Sequence, residues 1–307
     1  MTLPDMDTSA GEGVVRDRFV LGTVQLGLSY GRNRSLPVMS QQRAFRILDS
    51  AWSVGVRAFD TAEAYGASAE RLRSWSDQRG NADDLEVVTK CVVNLPGLSA
   101  EIAARSAQAA LSRFDGICRV VLLTHGAVDA ALWPAITSAA HQHSASAGQS
   151  VYTSQEVADA CEMRDMSRIQ APANILDGRA IDARSGAGVP LDIRSLYLQG
   201  VLLEAPEQAG RRAPGAGKIS SALRAAAAAL DTNLAPLLVA GMLHSIGELD
   251  RVVLGVDDES QLDVISAALD VPADIVLQFR DAVRPIRDDP DTRLMIDPRT
   301  WPAQSAG

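Results

Sequence analysis

The chain has 307 residues, 47% hydrophobic and 22% charged, with 29 Lys and Arg against 38 Asp and Glu for a net charge of −9. That balance argues against nonspecific binding to nucleic acid or to an anionic membrane surface, and the length suits either two domains or one α/β barrel. Three widely spaced cysteines, Cys91, Cys118 and Cys161, make no C-x-x-C pair. They exclude a zinc ribbon and a dense disulfide framework, and suit a reducing cytoplasm.

In chain order, residues 1–16 are polar and acidic and read as a disordered tail, neither signal peptide nor anchor. No apolar run approaches the ~20 residues of a membrane span. Residues 17–290 then alternate between short β-rich runs and helical periods, and 291–307 read as a C-terminal tail. Strands are expected at 18–26, 57–61, 85–91, 119–125, 144–152, 168–172, 191–198 and 251–256. Several are nearly continuous apolar runs, as parallel strands covered on both faces require. Phe45, Leu48 and Trp52 mark a first helix with Ser40 as N-cap and Gly55 as stop. A second runs from Ser99 to Phe114 and ends at Gly116. Alanines 225–229 belong to a helix, and a later one carries Leu262, Ile265 and Leu269 on one face. Two stretches fit the alternation least: 138–149 is polar for a strand, and 177–190 is loop-like where a helix is expected.

Eight strand–helix pairs in this order predict a single-domain (β/α)8 TIM barrel. A doubly wound sheet would need G-x-G-x-x-G after its first strand, which the run from Phe19 to Gly27 does not supply.

Three successive strands end in reactive side chains: Ala58-Phe59-Asp60, Val87-Val88-Thr89-Lys90, and Val121-Leu122-Leu123-Thr124-His125. In a barrel these ends share the C-terminal face, where active sites are built. Tyr65 follows Asp60 in the next loop. Singly, each has a plainer reading: a turn-capping Asp, a solvated Lys, a structural His. Together they make a site for reducing a carbonyl. An ammonium beside a phenol is expected to lower the tyrosine pKa below about 10, and a carboxylate keeps that ammonium charged and oriented. Tyrosine then donates a proton to an oxygen gaining negative charge, and imidazole fixes that oxygen's position. The hydride must come from a cofactor.

Gly22-Thr23-Val24-Gln25-Leu26-Gly27, Phe59-Asp60-Thr61-Ala62-Glu63-Ala64-Tyr65-Gly66, Val88-Thr89-Lys90 and Leu122-Leu123-Thr124-His125 resemble the aldo/keto reductase superfamily. Further resemblances follow in order: Gly148-Gln149-Ser150-Val151-Tyr152, Ile169-Gln170 with Asn174, Arg194-Ser195-Leu196-Tyr197-Leu198-Gln199-Gly200, and Val253-Leu254-Gly255-Val256-Asp257 with Gln261-Leu262. The resemblance covers about residues 18–270. It implies a catalytic tetrad of Asp60, Tyr65, Lys90 and His125, and a nicotinamide cofactor, NADP(H) or NAD(H). It also implies that Ser150 and Gln170 hold the carboxamide and that Gly22 and Thr23 approach the cofactor. Gln199, Gly200, Gly255 and Gln261 would lie along the pyrophosphate and adenosine, and Tyr30 would wall the substrate pocket. The chain departs from the pattern at Val151, where many relatives have Asn, and in a seventh strand without Tyr-Ser-Pro-Leu. It also has acidic Asp257-Asp258-Glu259 where NADPH-preferring relatives place phosphate ligands, and Val264-Ile265 in place of Glu-Asn.

The expected partner is a small carbonyl or alcohol, a sugar or hydroxy-aldehyde by analogy, and no nucleic acid, membrane or metal. Two other chemistries compete: a Schiff base on Lys90, as in a class I aldolase, and a non-catalytic nucleotide-binding barrel acting through a protein partner. Gly217-Lys218 is not a P-loop, because Arg212 occupies the upstream glycine position and Ile219 the Ser/Thr position. That segment, with Arg211, Arg212 and Lys218, reads as a mobile basic loop able to supply positive charge to the cofactor. His141 and His143 lack the partners of a metal site.

Overall fold

The computed structural model describes residues 8–31, 37–93, 97–184 and 186–302. Eight parallel strands close in sequence order: β1 (Phe19–Gly22), β2 (Ala58–Asp60), β3 (Glu86–Cys91), β4 (Arg119–His125), β5 (Ser146–Ser150), β6 (Arg168–Pro172), β7 (Leu191–Arg194) and β8 (Arg251–Gly255). Val20 of β1 lies opposite both Ala58 and Val253, so no strand edge is left unpaired. The (β/α)8 barrel read from the alternation is the fold.

Successive strand side chains point to opposite faces, and the buried residues divide accordingly. Phe19, Leu21, Phe59, Val87, Ile169, Ile193, Val252 and Leu254 join the core between strands and helices, while Cys91, Leu122 and Ala147 join a second outer core. The alternate residues face the barrel axis. Some form small apolar clusters, Val20 with Ala58 and Val253 and Val88 with Val121 and Leu123. The remaining inward positions are largely polar.

At the N-terminal end they form a closed ionic plug. Arg251 donates from Nε and Nη2 to the two Asp192 oxygens at 2.8 and 2.9 Å, and from Nη1 to Glu86 at 2.5 Å. Arg168 Nη1 reaches Asp192 at 2.8 Å. Burial would push the Asp192 carboxyl up, but the Arg251 and Arg168 guanidiniums hold it below the usual range.

Ser40 caps helix Gln41–Ser53 by accepting from a backbone N–H, as expected, and Ser99, read as the start of the next helix, caps Ala100–Ser112 in the same way. In the polar strand β5 a glycine is required where it approaches β6: a Cβ on Gly148 would lie 2.1 Å from the Arg168 carbonyl. In the loop-like stretch 177–190 a short helix forms, Arg179–Arg184. Leu262 and Ile265 are buried, whereas Leu269 turns outward.

Three expectations need correction. Thr8–Arg18 is a helix, with Val15 buried, where a disordered tail to residue 16 was expected. The expected C-terminal tail begins in a helix, Pro290–Met295, followed by a 3-10 turn, Pro298–Thr300. Met295 is buried and Trp301 Nε1 donates to its carbonyl at 2.9 Å. One apolar anchor in a polar stretch is enough to dock such a segment, and composition averages it away. The basic segment is not a loop either but two helices, Pro206–Arg212 and Ala216–Ala229. Two of its cations are committed elsewhere, Arg212 to Glu204 at 2.5 Å and Lys218 to Asp289 and Asp291 at 2.7 and 3.3 Å. Among the described residues no single helix is long and apolar enough to cross a membrane.

Candidate active site

The C-terminal ends of the inward-facing rows meet at Asp60. Lys90 Nζ donates to both carboxylate oxygens, to Oδ2 at 2.6 Å, and to the Thr61 carbonyl at 3.1 Å. Gln170 Nε2 donates to Asp60 Oδ1 at 2.8 Å, and Ser150 Oγ donates to Gln170 Oε1 at 3.1 Å. These contacts use all three ammonium protons, and Lys90 is only 1% exposed. Its nitrogen therefore has neither a free donor nor a path to a substrate carbon, which removes the geometric basis for a Schiff base.

Tyr65 reaches this cluster because two loops meet backbone to backbone. A Cβ on Gly27 would lie 2.0 Å from the Tyr65 carbonyl, and one on Gly66, at φ +59°, would lie 2.4 Å from the Gly27 carbonyl. Only glycine fits at either position. Thr23 ties the same loops to β2: its backbone N–H and Oγ1 donate to the Asp60 carbonyl at 2.9 and 2.8 Å, and Ser68 Oγ donates to the Thr23 carbonyl at 2.8 Å. These contacts account for the GTVQLG and DTAEAYG segments as one joint.

The Tyr65 ring then stands edge-on to His125, with centroids 6.1 Å apart and planes at 88°, and Lys90 Nζ lies 5.1 Å from the Tyr65 centroid. The four tetrad candidates are together. Burial raises the Tyr65 phenol well above its ordinary range, the Asp60 carboxylate adds to this, and Arg194 opposes it. The lowering expected from Lys90 is not the outcome, because burial and the Asp60 charge prevail. Burial also pulls the Lys90 ammonium down, and Asp60 only partly offsets it. Burial, followed by the Lys90 charge, lowers His125, so its imidazole is neutral near pH 7.

Above the cluster a cavity of about 800 Å³ opens. Every residue read as a site candidate lines it except Lys90, which lies beneath: Asp60, Tyr65 and His125, then Gly22, Thr23, Ser150 and Gln170, then Tyr30, Gln199, Gly200, Gly255 and Gln261. Some of these act through the scaffold. Thr23 is spent on Asp60, and Gln261 Oε1 accepts from the Asp257 N–H at 2.8 Å, holding the loop after β8. In the segment after β7, Ser195, Leu198 and Gln199 take left-handed φ of +65°, +48° and +54°. Such backbone costs ~1–3 kcal/mol per residue and gathers at functional sites.

The cavity fits a dinucleotide in chemistry as well as extent. Gly22 and Gly255, neighbours in register, leave its floor bare; a Cβ on Gly255 would meet Gln25 Nε2 at 2.6 Å. Gln25 Oε1 is buried without a hydrogen-bond partner among the described residues and suits an amide or hydroxyl donor. Ser150 and Gln170 present hydroxyl and amide groups beside the tetrad.

Sequence reasoning missed Gln25, Tyr152, Arg194 and Arg224, all on the cavity wall. Strand alternation was the available signal for two of them, since Arg194 follows inward Asp192 by two and Tyr152 follows Ser150 by two. It also missed Arg43 and Arg46, which reach the acidic loop after β8, Arg43 at the Asp257 carbonyl (2.8 Å) and Arg46 at Glu259 (2.7 Å). His143, set aside above as a metal ligand, contacts Asp115 at 2.9 Å.

Residues 18–131 match the model of the aldo/keto reductase family, a span that holds the whole tetrad. The chain is an aldo/keto reductase-like barrel. Among solved structures it is similar to a glycerol dehydrogenase from Gluconobacter oxydans at 14% identity, covering 94% of each chain with a TM-score of 0.66. An aldo-keto reductase of the silkworm Bombyx mori aligns at 16% identity over 94% of this chain and 92% of that one, with a TM-score of 0.65. Aldose reductase from Giardia lamblia aligns at 14% identity over 87% and 92%, with a TM-score of 0.64. At such identities these aldo/keto reductase neighbours speak for the fold. No curated protein sequence matches the chain.

Proposed function

We propose that this aldo/keto reductase-like enzyme interconverts an aldehyde or ketone and its alcohol, using NADP(H) or NAD(H), with Tyr65 as proton donor. One observation carries the reading: a phenol held in its protonated form stands edge-on to a neutral imidazole over a buried Lys90–Asp60 pair, at the mouth of a dinucleotide-sized cavity. When bound, the nicotinamide supplies the hydride for the carbonyl carbon.

The chain's own groups handle position and proton. His125, neutral, donates a hydrogen bond to the carbonyl oxygen and holds it near Tyr65. Tyr65 gives its phenolic proton to that oxygen as negative charge develops. Lys90 and Asp60 hold the site's charge fixed beneath the ring. Ser150 and Gln170 would hold the carboxamide, with Gly22 and Gly255 beneath the cofactor and Gln199 and Gly200 along its length. All three cysteines are free, in keeping with a cytoplasmic enzyme.

Nicotinamide oxidation with a panel of aldehydes tests the reading, with cofactor affinity followed by fluorescence quenching. Reduction by the wild type, lost in Tyr65→Phe while cofactor affinity is kept, is the expected result. No turnover of any aldehyde with either cofactor overturns it. NADH should bind within about tenfold of NADPH, because Asp257 and Asp263 line the far end of the cavity while Arg212 and Lys218 are engaged by carboxylates. A larger preference for NADPH would refute that assignment.

A further inference from the structure

A second cavity of about 520 Å³ adjoins the first, and the two share a wall of Tyr30, Tyr152, Arg194, Ser195 and Gln199. Three guanidiniums line it. Two are neutralised on the spot: Arg179 holds both Asp177 oxygens at 2.8 Å, and Arg299 holds those of Asp297 at 2.9 and 2.7 Å. Arg194 differs. It pairs with no carboxylate among the described residues. Its Nη2 donates to the Val151 carbonyl at 2.9 Å, its Nη1 lies 3.5 Å from Ser195 Oγ, and its face rests on the Tyr152 ring at 4.1 Å.

The second cavity therefore keeps one net positive charge, in a protein whose overall charge is −9. Its source is the inward-facing residue at the end of β7, in the same row as Asp192 and beside the tetrad. A half-buried guanidinium has five donor hydrogens, and the contacts here occupy two of them. The backbone bond and the aromatic face hold the fork in place. A preoriented fork of this kind matches a planar carboxylate or a phosphate, bonded through two nitrogens. The Arg194 charge also reaches the reacting groups, since it opposes the rise at Tyr65 and adds to the lowering at His125.

We propose that Arg194 selects the substrate, and that the enzyme acts on carbonyl compounds bearing an anionic oxygen group, carboxylate or phosphate. That group is bound by Arg194 at the junction of the two cavities while the carbonyl oxygen lies at Tyr65 and His125. The inference rests on the reductase reading above and narrows its substrate class.

The test compares kcat/KM for 4-carboxybenzaldehyde, 4-formylphenyl phosphate and the uncharged methyl 4-formylbenzoate, in the wild type, Arg194→Gln and Arg194→Lys. The wild type is expected to prefer an anionic aldehyde over the ester by about 30-fold. Arg194→Gln should bring that ratio to about one, and Arg194→Lys should restore part of it. Whichever anion is preferred identifies carboxylate or phosphate as the group read. A separate titration without turnover follows benzoate against benzamide by tryptophan fluorescence, with benzoate binding lost in Arg194→Gln.

No preference for either anion in the wild type overturns the proposal. So does an equal loss on all three aldehydes, or a loss traced to weaker cofactor binding, since either gives Arg194 a general role. If no aldehyde is reduced but benzoate still binds through Arg194, the reductase reading and the substrate assignment fall together and the anion site alone is upheld.

Discussion

Both ends of the barrel bury charged side chains on the inward-facing rows of the strands, yet they are built to opposite ends. At the N-terminal end Arg168 and Arg251 surround Asp192, Arg251 also meets Glu86, and none of these side chains has a buried polar atom without a partner. At the C-terminal end Asp60 and Lys90 are just as tightly matched, but Tyr65, His125 and Arg194 face a cavity. The strands supply the same alternation to both ends. The difference comes from the connections: after the strands, two loops are joined backbone to backbone at Gly27 and Gly66, the segment after β7 takes left-handed backbone, and a cavity is left above Asp60. A filled ionic cluster holds the fold, and an incomplete one beside an opening does chemistry.

The largest expected effect lies at the closed end. Asp192→Ala leaves two guanidiniums buried without their shared carboxylate, and should cost about 3–5 kcal/mol of stability in denaturant unfolding. Turnover per folded molecule should hold, since Asp192 is not among the residues that line the cavity. An activity loss at unchanged stability would dissolve the contrast between the ends. At the open end the pattern reverses. Tyr65→Phe keeps the ring but removes the acid, so turnover should fall at least ~100-fold, about 2.7 kcal/mol of transition-state stabilisation, with the unfolding midpoint little moved.

Gly27→Ala sharpens the comparison, because it strikes the joint between scaffold and site. Its methyl would meet the Tyr65 carbonyl, which belongs to backbone and cannot swing aside. We expect a loss of about 1–3 kcal/mol in stability together with reduced turnover. A variant that is destabilised but fully active per folded molecule would show that Tyr65 does not depend on this contact.

The smallest effect is on pH. The phenol form of Tyr65 is the one that donates, and its raised pKa moves deprotonation to higher pH. His125, lowered by burial, stays neutral above about pH 6.5. The kcat/KM for reduction should therefore stay flat from about pH 7 to about pH 10, falling only beyond. A falling limb near neutrality would mean that Lys90 does act directly on the phenol.

All eight strands were legible in the sequence, and so was the meeting of Asp60, Tyr65, Lys90 and His125 at one end. Parallel buried strands are apolar runs, strand order in a barrel is chain order, and a strand end must lie on a known face. These are local properties that a one-dimensional pattern records. The glycines of the first two loops were visible as motifs, but the clash that requires them involves residues about forty positions apart. Tertiary structure alone decided the rest. It showed that the supposed basic loop is two helices in which Arg212 and Lys218 are spent on carboxylates, that Arg43 and Arg46 reach the acidic loop from a neighbouring helix, and that Lys90 is paired with Asp60. It also decided that Arg179 and Arg299 are paired with carboxylates while Arg194 meets none among the described residues. Charge in a sequence is only a count. Whether a charge is paired, buried or left facing a cavity depends on contacts between distant residues, and those exist only once the chain has closed on itself.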